Sequence, residues 1–216
     1  MTLESSKTLG GVGSLLMVIS PVTGYVGGSF GGLLGLVGLI LVIISVKGLA
    51  DHYSDGSIFN NTLYGVIFTI VGGVAFAGAL VVGAAGLLSS LNIDVATLPT
   101  DPSAFSTVDW EGALDFEILM DFVAILVVAL VVLFALLVVS AIFYRKSLNT
   151  LADKTGVGLF GTTGMLILIG AVLTIIAVGA LILWVALILL TVAFFSIKTE
   201  PATVAPPPPA PPVAEA

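Results

Sequence analysis

The residues best equipped for chemistry lie in one short run, Asp51-His52-Tyr53-Ser54-Asp55, where two carboxylates flank the only histidine of the chain. Such a group could hold a metal ion or pass a proton near neutral pH. The spacing matches no zinc motif, and a single histidine is a poor ligand set. The same residues also read as a solvated helix end. Lys47 and Asp51 stand four apart, as an ion pair along a helix requires, and Asp55-Gly56-Ser57 has turn chemistry. Asp51, His52 and Asp55 are therefore weak loop candidates, and the expectation for them is structural.

A second concentration of carboxylates comprises Asp94, Asp101, Asp109, Glu111, Asp115, Glu117 and Asp121. Oxygen ligands of this kind can bind a divalent cation, but the D-x-[DN]-x-[DN]-G pattern that would specify a geometry is missing. The stretch near Asp109 to Glu117 reads as a short amphipathic helix with Trp110 at a membrane interface. The sequence holds no cysteine, which excludes disulfides, thiolate nucleophiles, iron–sulfur clusters and Cys-based zinc sites. It also holds no H-E-x-x-H, no Walker loop and no G-x-S-x-G. The expectation is a protein without enzymatic activity, cofactor or metal.

The elements that carry these residues are apolar. Of 216 residues, 58% are hydrophobic and 9% charged, too few charges for a soluble domain to cover its surface. Crossing the hydrocarbon core takes about 20 helical residues. The first apolar region, about Thr8 to Val46, is nearly twice that long, and Pro21 with Gly24, Gly27 and Gly28 predicts a break near its middle. Helices are expected at about Thr8–Ser20, extended by its flank, and about Phe30–Lys47. A polar loop is expected from Gly48 to Asn61, spans at Thr62–Leu88 and Ile118–Tyr144, and loops at 91–117 and 145–156. The last region, about Leu159 to Ile197, is again two spans long, with its turn expected at Val178, Gly179 and Ala180. The fold class is thus all-α, a bundle of about six transmembrane helices. The fallback is four full spans with shallower hairpins.

Charge sets the orientation. Lys7, Lys47, Arg145, Lys146, Lys154 and Lys198 all fall at ends of apolar stretches that hairpins would bring to one face. Lys and Arg favour the cytoplasmic side, so both termini are expected inside the cell membrane and the acidic loop outside. Lys7 followed by Leu9 to Ile19 imitates a signal peptide. However, Gly10, Gly11 and Gly13 interrupt the run and no A-x-A-like site follows, so the segment is expected to remain. The spans carry no clear mid-membrane charge of the kind that pumps and proton relays need. Their hydroxyls, among them Ser14, Thr23, Thr69, Ser140, Thr174 and Ser196, can bond to their own helices.

Small residues recur every four positions at Gly28 and Gly32, at Gly31 and Gly35, and at Ala75, Ala79 and Gly83, which predicts close helix packing within the chain. A shift of 151 positions superimposes Gly10, Gly13, Thr23, Gly28, Ser45 and Lys47 on Gly161, Gly164, Thr174, Gly179, Ser196 and Lys198. This suggests two hairpins of the same orientation. Residues 199–216 are proline-rich, with Pro206–Pro209 and Pro211–Pro212. They are expected to form a disordered cytoplasmic arm, leaving 1–198 as the transmembrane domain.

Three stretches carry a family resemblance. They are Ser6-Lys7-x-Leu9-Gly10-Gly11-x-Gly13-Ser14-Leu15-Leu16, Lys47-x-Leu49-x-Asp51-x-Tyr53-x-Asp55-x-x-Ile58-Phe59-x-Asn61, and Ala193-Phe194-Phe195-Ser196-Ile197-Lys198. Together they resemble an uncharacterised, mainly archaeal family of multi-pass membrane proteins, known as a domain of unknown function, over about Ser5 to Lys198. The resemblance implies an integral membrane protein and brings no catalytic or binding residues with it.

The functional expectation is a membrane scaffold or interaction component. The alternative is a channel or facilitator for a small solute. Expected partners are the lipid bilayer, other membrane proteins or further copies of the chain, and a cytoplasmic protein for the proline-rich tail. No nucleic acid is expected.

Overall fold

The computed structural model describes residues 2–27, 30–90, 116–176 and 178–198. Within them lie six α-helices: α1 (Leu3–Gly27), α2 (Phe30–His52), α3 (Gly56–Ser90), α4 (Phe116–Thr155), α5 (Leu159–Leu173) and α6 (Val178–Phe195). A 3-10 turn, Thr174–Ile176, follows α5. The fold is all-helical, with no strand among the described residues. Five segments are long and apolar enough to cross a membrane: Phe30–His52, Gly56–Ser90, Leu119–Thr155, Leu159–Ile176 and Val178–Phe195. A helix closes its backbone hydrogen bonds within itself, which suits such sequences to a solvent that offers none.

Several boundaries differ from the sequence-based expectation. Pro21 lies inside α1 and does not end it; in an apolar setting a neighbouring helix and nearby hydroxyls can accommodate the proline. The polar stretch Gly48–Asn61 is mostly helix, because α2 runs to His52 and α3 starts at Gly56. Likewise, most of 145–156 belongs to α4. Both segments bury one face, through Leu49, Ala50 and Ile58 in the first and Leu148 and Leu151 in the second. These stretches are amphipathic helix ends, and their polar face alone has the composition of a loop. The turn expected at Val178–Ala180 falls earlier, at Thr174–Ile176. Gly179 serves close packing, since a Cβ there would overlap the Gly170 carbonyl and the Thr174 nitrogen. The expected interfacial helix near Asp109 and the proline-rich tail lie outside the described residues, as does most of the acidic loop.

Each helix packs on the next in chain order, and α6 packs back on α1, so the helices close a ring. One end of the ring holds the main core. Leu49, Ile58, Leu151, Phe160 and Phe194 are fully buried there, joined by Leu148 and Ile197. We call this end the base. Heights above it are unequal. At about 1.5 Å per residue, α3 rises roughly 48 Å from Ile58 to Ser90, while α6 rises roughly 24 Å from Phe194 to Val178. The α3–α4 hairpin is therefore tall and the α5–α6 hairpin short. Both α1–α2 and α5–α6 leave the base and return to it, as two hairpins of one orientation must.

Candidate functional site

All six basic residues gather at the base, and each can be placed there. The Lys7 ammonium donates to the Ile197 carbonyl at 2.7 Å, tying the start of α1 to the segment after α6. Lys47 pairs with Asp51 at 2.6 Å on the exposed surface of α2 and lies over the Phe59 ring. Lys154, near the end of α4, reaches Asp55 at 3.4 Å. Lys146 sits over the Phe143 ring. Arg145 and Lys198 are exposed.

The Asp51–Asp55 run is a helix-to-helix turn. Ser54 adopts φ 52, and the Asp55 N–H donates to the Ala50 carbonyl at 2.9 Å while the Ser54 N–H donates to Asp51. This is the Schellman pattern, with serine where glycine is usual. Asp55 then caps α3. Its Oδ1 accepts from the Ser57 N–H at 3.1 Å and from the Ser57 hydroxyl at 2.7 Å. These bonds, with Lys154 adding to them, hold the Asp55 carboxyl below its ordinary range. Partial burial pushes the Tyr53 hydroxyl up. His52 stacks edge-on against Tyr53 and is exposed. Asp51 faces Lys47 and Asp55 faces Lys154, so the three candidates do not converge. No group of three or more metal-ligating side chains exists among the described residues.

The polar contacts that do converge lie between α3 and α4. The Thr62 and Ser147 hydroxyls stand 2.7 Å apart, and both reach the Ile58 carbonyl. Seven residues further along each helix the arrangement recurs: Thr69 and Ser140 are 2.8 Å apart, and both reach the Gly65 carbonyl. The expectation that hydroxyls bond to their own helices holds for Thr69, which reaches Gly65 of α3, while Ser140 bonds across to α3; Thr62 and Ser147 are not among the hydroxyls named from the sequence. The seven-residue spacing shared by the two pairs was the available signal, because antiparallel helices repeat a contact at that interval. Elsewhere, the Ser45 hydroxyl donates to the Ser6 carbonyl at 2.6 Å, Ser20 donates to Gly31 at 2.8 Å, and the Trp184 indole donates to Val18 at 3.0 Å.

Glycines set the close approaches. A Cβ on Gly38 would lie 2.5 Å from the Gly13 carbonyl, and one on Gly31 would lie 2.5 Å from the Gly24 nitrogen. The Gly31/Gly35 and Ala75/Ala79/Gly83 stripes face neighbouring helices of the same chain: Gly35 meets Ser20, Gly83 meets Phe122, and Ala75 and Ala79 line the α3–α4 seam. Gly32 faces open space. A shallow cleft of about 430 Å³ lies along that seam, lined by Ala75, Ala79, Ala124, Val128 and Val132 among others, and it is almost wholly apolar.

A family model, the protein of unknown function DUF996, matches residues 34–188. The chain belongs to this family. A relative from Methanocaldococcus jannaschii, the uncharacterized protein MJ1644, is 28% identical over 200 residues, covering 93% of this chain and 96% of its own. No solved structure matches the chain. The family match includes the Lys47–Asn61 stretch on which the resemblance partly rested, and the relative's coverage extends well beyond the family match at either end. Neither comparison carries a molecular activity.

Proposed function

We propose that this family member is a non-enzymatic component of the cell membrane that organises other proteins, with both termini in the cytoplasm. The observation that carries this reading is how its polar groups are used. Every buried side-chain nitrogen or oxygen among the described residues has a hydrogen-bond partner, and the hydroxyls of α3 and α4 close onto one another. A facilitator needs polar groups facing a water-filled path, whereas the α3–α4 cleft is lined by alanine, valine and isoleucine. The base supports a scaffolding role, because it gathers the six cations around the buried core at the end of the molecule where Lys198 lies. Orientation follows from the preference of lysine and arginine for the cytoplasmic face.

The test has two arms. Liposomes containing the full chain should shrink and re-swell in glycerol or urea at the rate of empty liposomes. Affinity capture from native membranes should recover a reproducible set of proteins, part of which is lost when Pro201–Ala216 is deleted. Solute-specific swelling would overturn the scaffold in favour of a facilitator. An unchanged set after deletion would remove the tail from the reading.

A further inference from the structure

The α5–α6 connection is unlike the turns at the base. Those turns carry Ser54 and Asp55, or Gly156 with Asp153 and Lys154 close by. Between Leu173 and Leu183 the only polar side chain is Thr174. Its hydroxyl donates to the Gly170 carbonyl at 2.8 Å, and its backbone N–H bonds to Ala171. Around it, Ile175 is 73% exposed, Ile176 60% and Leu181 67%. At a water surface this arrangement would present bare branched aliphatics and no group to hold water. In hydrocarbon it is well suited, because irregular backbone is tolerated there only when its polar groups are satisfied locally. The tight approach of Gly170 and Gly179 lets the chain reverse with little exposed backbone.

Height points the same way. The 18 residues of α6 reach about 27 Å, at the lower limit for a roughly 30 Å hydrocarbon core, whereas the 35 residues of α3 reach about 52 Å. We infer that α5–α6 is a re-entrant hairpin: it enters from the base side, turns inside the bilayer at Thr174–Ile176, and is roofed by acyl chains of the far leaflet. The tall α3–α4 hairpin then spans the full thickness beside it. Acyl chains are the occupant that the exposed chemistry fits, since the outward-facing side chains offer branched aliphatic surface and no hydrogen-bonding group.

The absence of native cysteine makes the test clean. Ile176→Cys is compared with Ser103→Cys, in the connection between α3 and α4, and with the exposed Asn149→Cys, near the base, in membrane vesicles carrying an impermeant maleimide on both faces. Ile176→Cys should react at least about tenfold more slowly than either reference, as hydrocarbon excludes the reagent. A bimane placed on it should be quenched by lipids brominated along their acyl chains. Reaction at the reference rate would put the turn in water and overturn the proposal. Protection without quenching, accompanied by a disulfide between Ile176→Cys copies, would give the position to a second copy and overturn it equally. Ile175→Cys, exposed on the same turn, carries the same comparison if the first variant fails to accumulate.

Discussion

The base and the far half of the α3–α4 hairpin are built from similar aliphatic residues yet are held together differently. At the base, six helices meet and Phe160 and Phe194 interlock edge to face with centroids 5.2 Å apart, both fully buried. In the far half two helices meet only each other. Val81, Val128 and Val131 are each more than 60% exposed there, and the hydroxyl pairs Thr62–Ser147 and Thr69–Ser140 lie in the half nearer the base. The base resembles the interior of a water-soluble protein, where every methyl has neighbours. The hairpin relies on lipid to solvate its flanks, so apolar residues there contribute little to holding the chain together. Hydrophobicity alone therefore does not reveal where stability resides in this molecule; the number of helices meeting at a level does.

The largest test of that contrast is truncation at each level. Phe194→Ala should destabilise by about 3–5 kcal/mol through the cavity it leaves, while Val128→Ala should change stability by less than about 0.5 kcal/mol. Both are read by detergent-denaturant titration of helical circular dichroism. Equal effects would erase the distinction between the two regions. Next in size is glycine. Gly38→Leu should cost about 1–3 kcal/mol by forcing α1 and α2 apart, and Gly32→Leu, which enters open space, should be close to neutral in the same titration.

The hydroxyl layers sharpen the comparison further. Ser147→Ala and Ser140→Ala should each cost about 0.6 kcal/mol, the usual scale for such bonds between membrane helices. A double-mutant cycle of Thr62→Val with Ser147→Ala should show coupling, and one of Thr62→Val with Ser140→Ala should not. The smallest effect concerns the base surface. Because the folded state holds the Asp55 carboxyl below its ordinary value of 3.8, its contribution is present above that value and fades as pH falls through the lower folded value. Asp55→Asn keeps an N-cap but should flatten this acid limb in thermal melts at graded pH. An unchanged limb would mean that other carboxylates carry it.

Much of this architecture was legible in the sequence. Long charge-free runs separated by basic residues gave six helices, and the Gly31/Gly35 spacing pointed to close packing within the chain. What escaped had physical causes. The segments around Leu49 and Leu148 carry polar residues on one face only, and reading polarity without its helical period turned them into loops. Pro21 was given the weight it has in water, where a kinked helix finds easier alternatives. The α5–α6 reversal was placed at Gly179 because glycine suggests a bend, although its actual service is to let two backbones touch. Thr62 and Ser147 went unnoticed because the partner of each lies more than eighty residues away.

The Lys7–Ile197 bond brings the two ends of the helical ring side by side, and every helix touches its sequence neighbours. Topologically the chain is a circle that happens to be cut at the base. Joining its ends and opening it instead between α3 and α4 would ask no helix to change neighbours, a condition under which rearranged chain order is usually tolerated. Such a permutant should reach the same melting profile as the natural order; a collapse of that profile would mean that order of synthesis, and not adjacency alone, builds the ring.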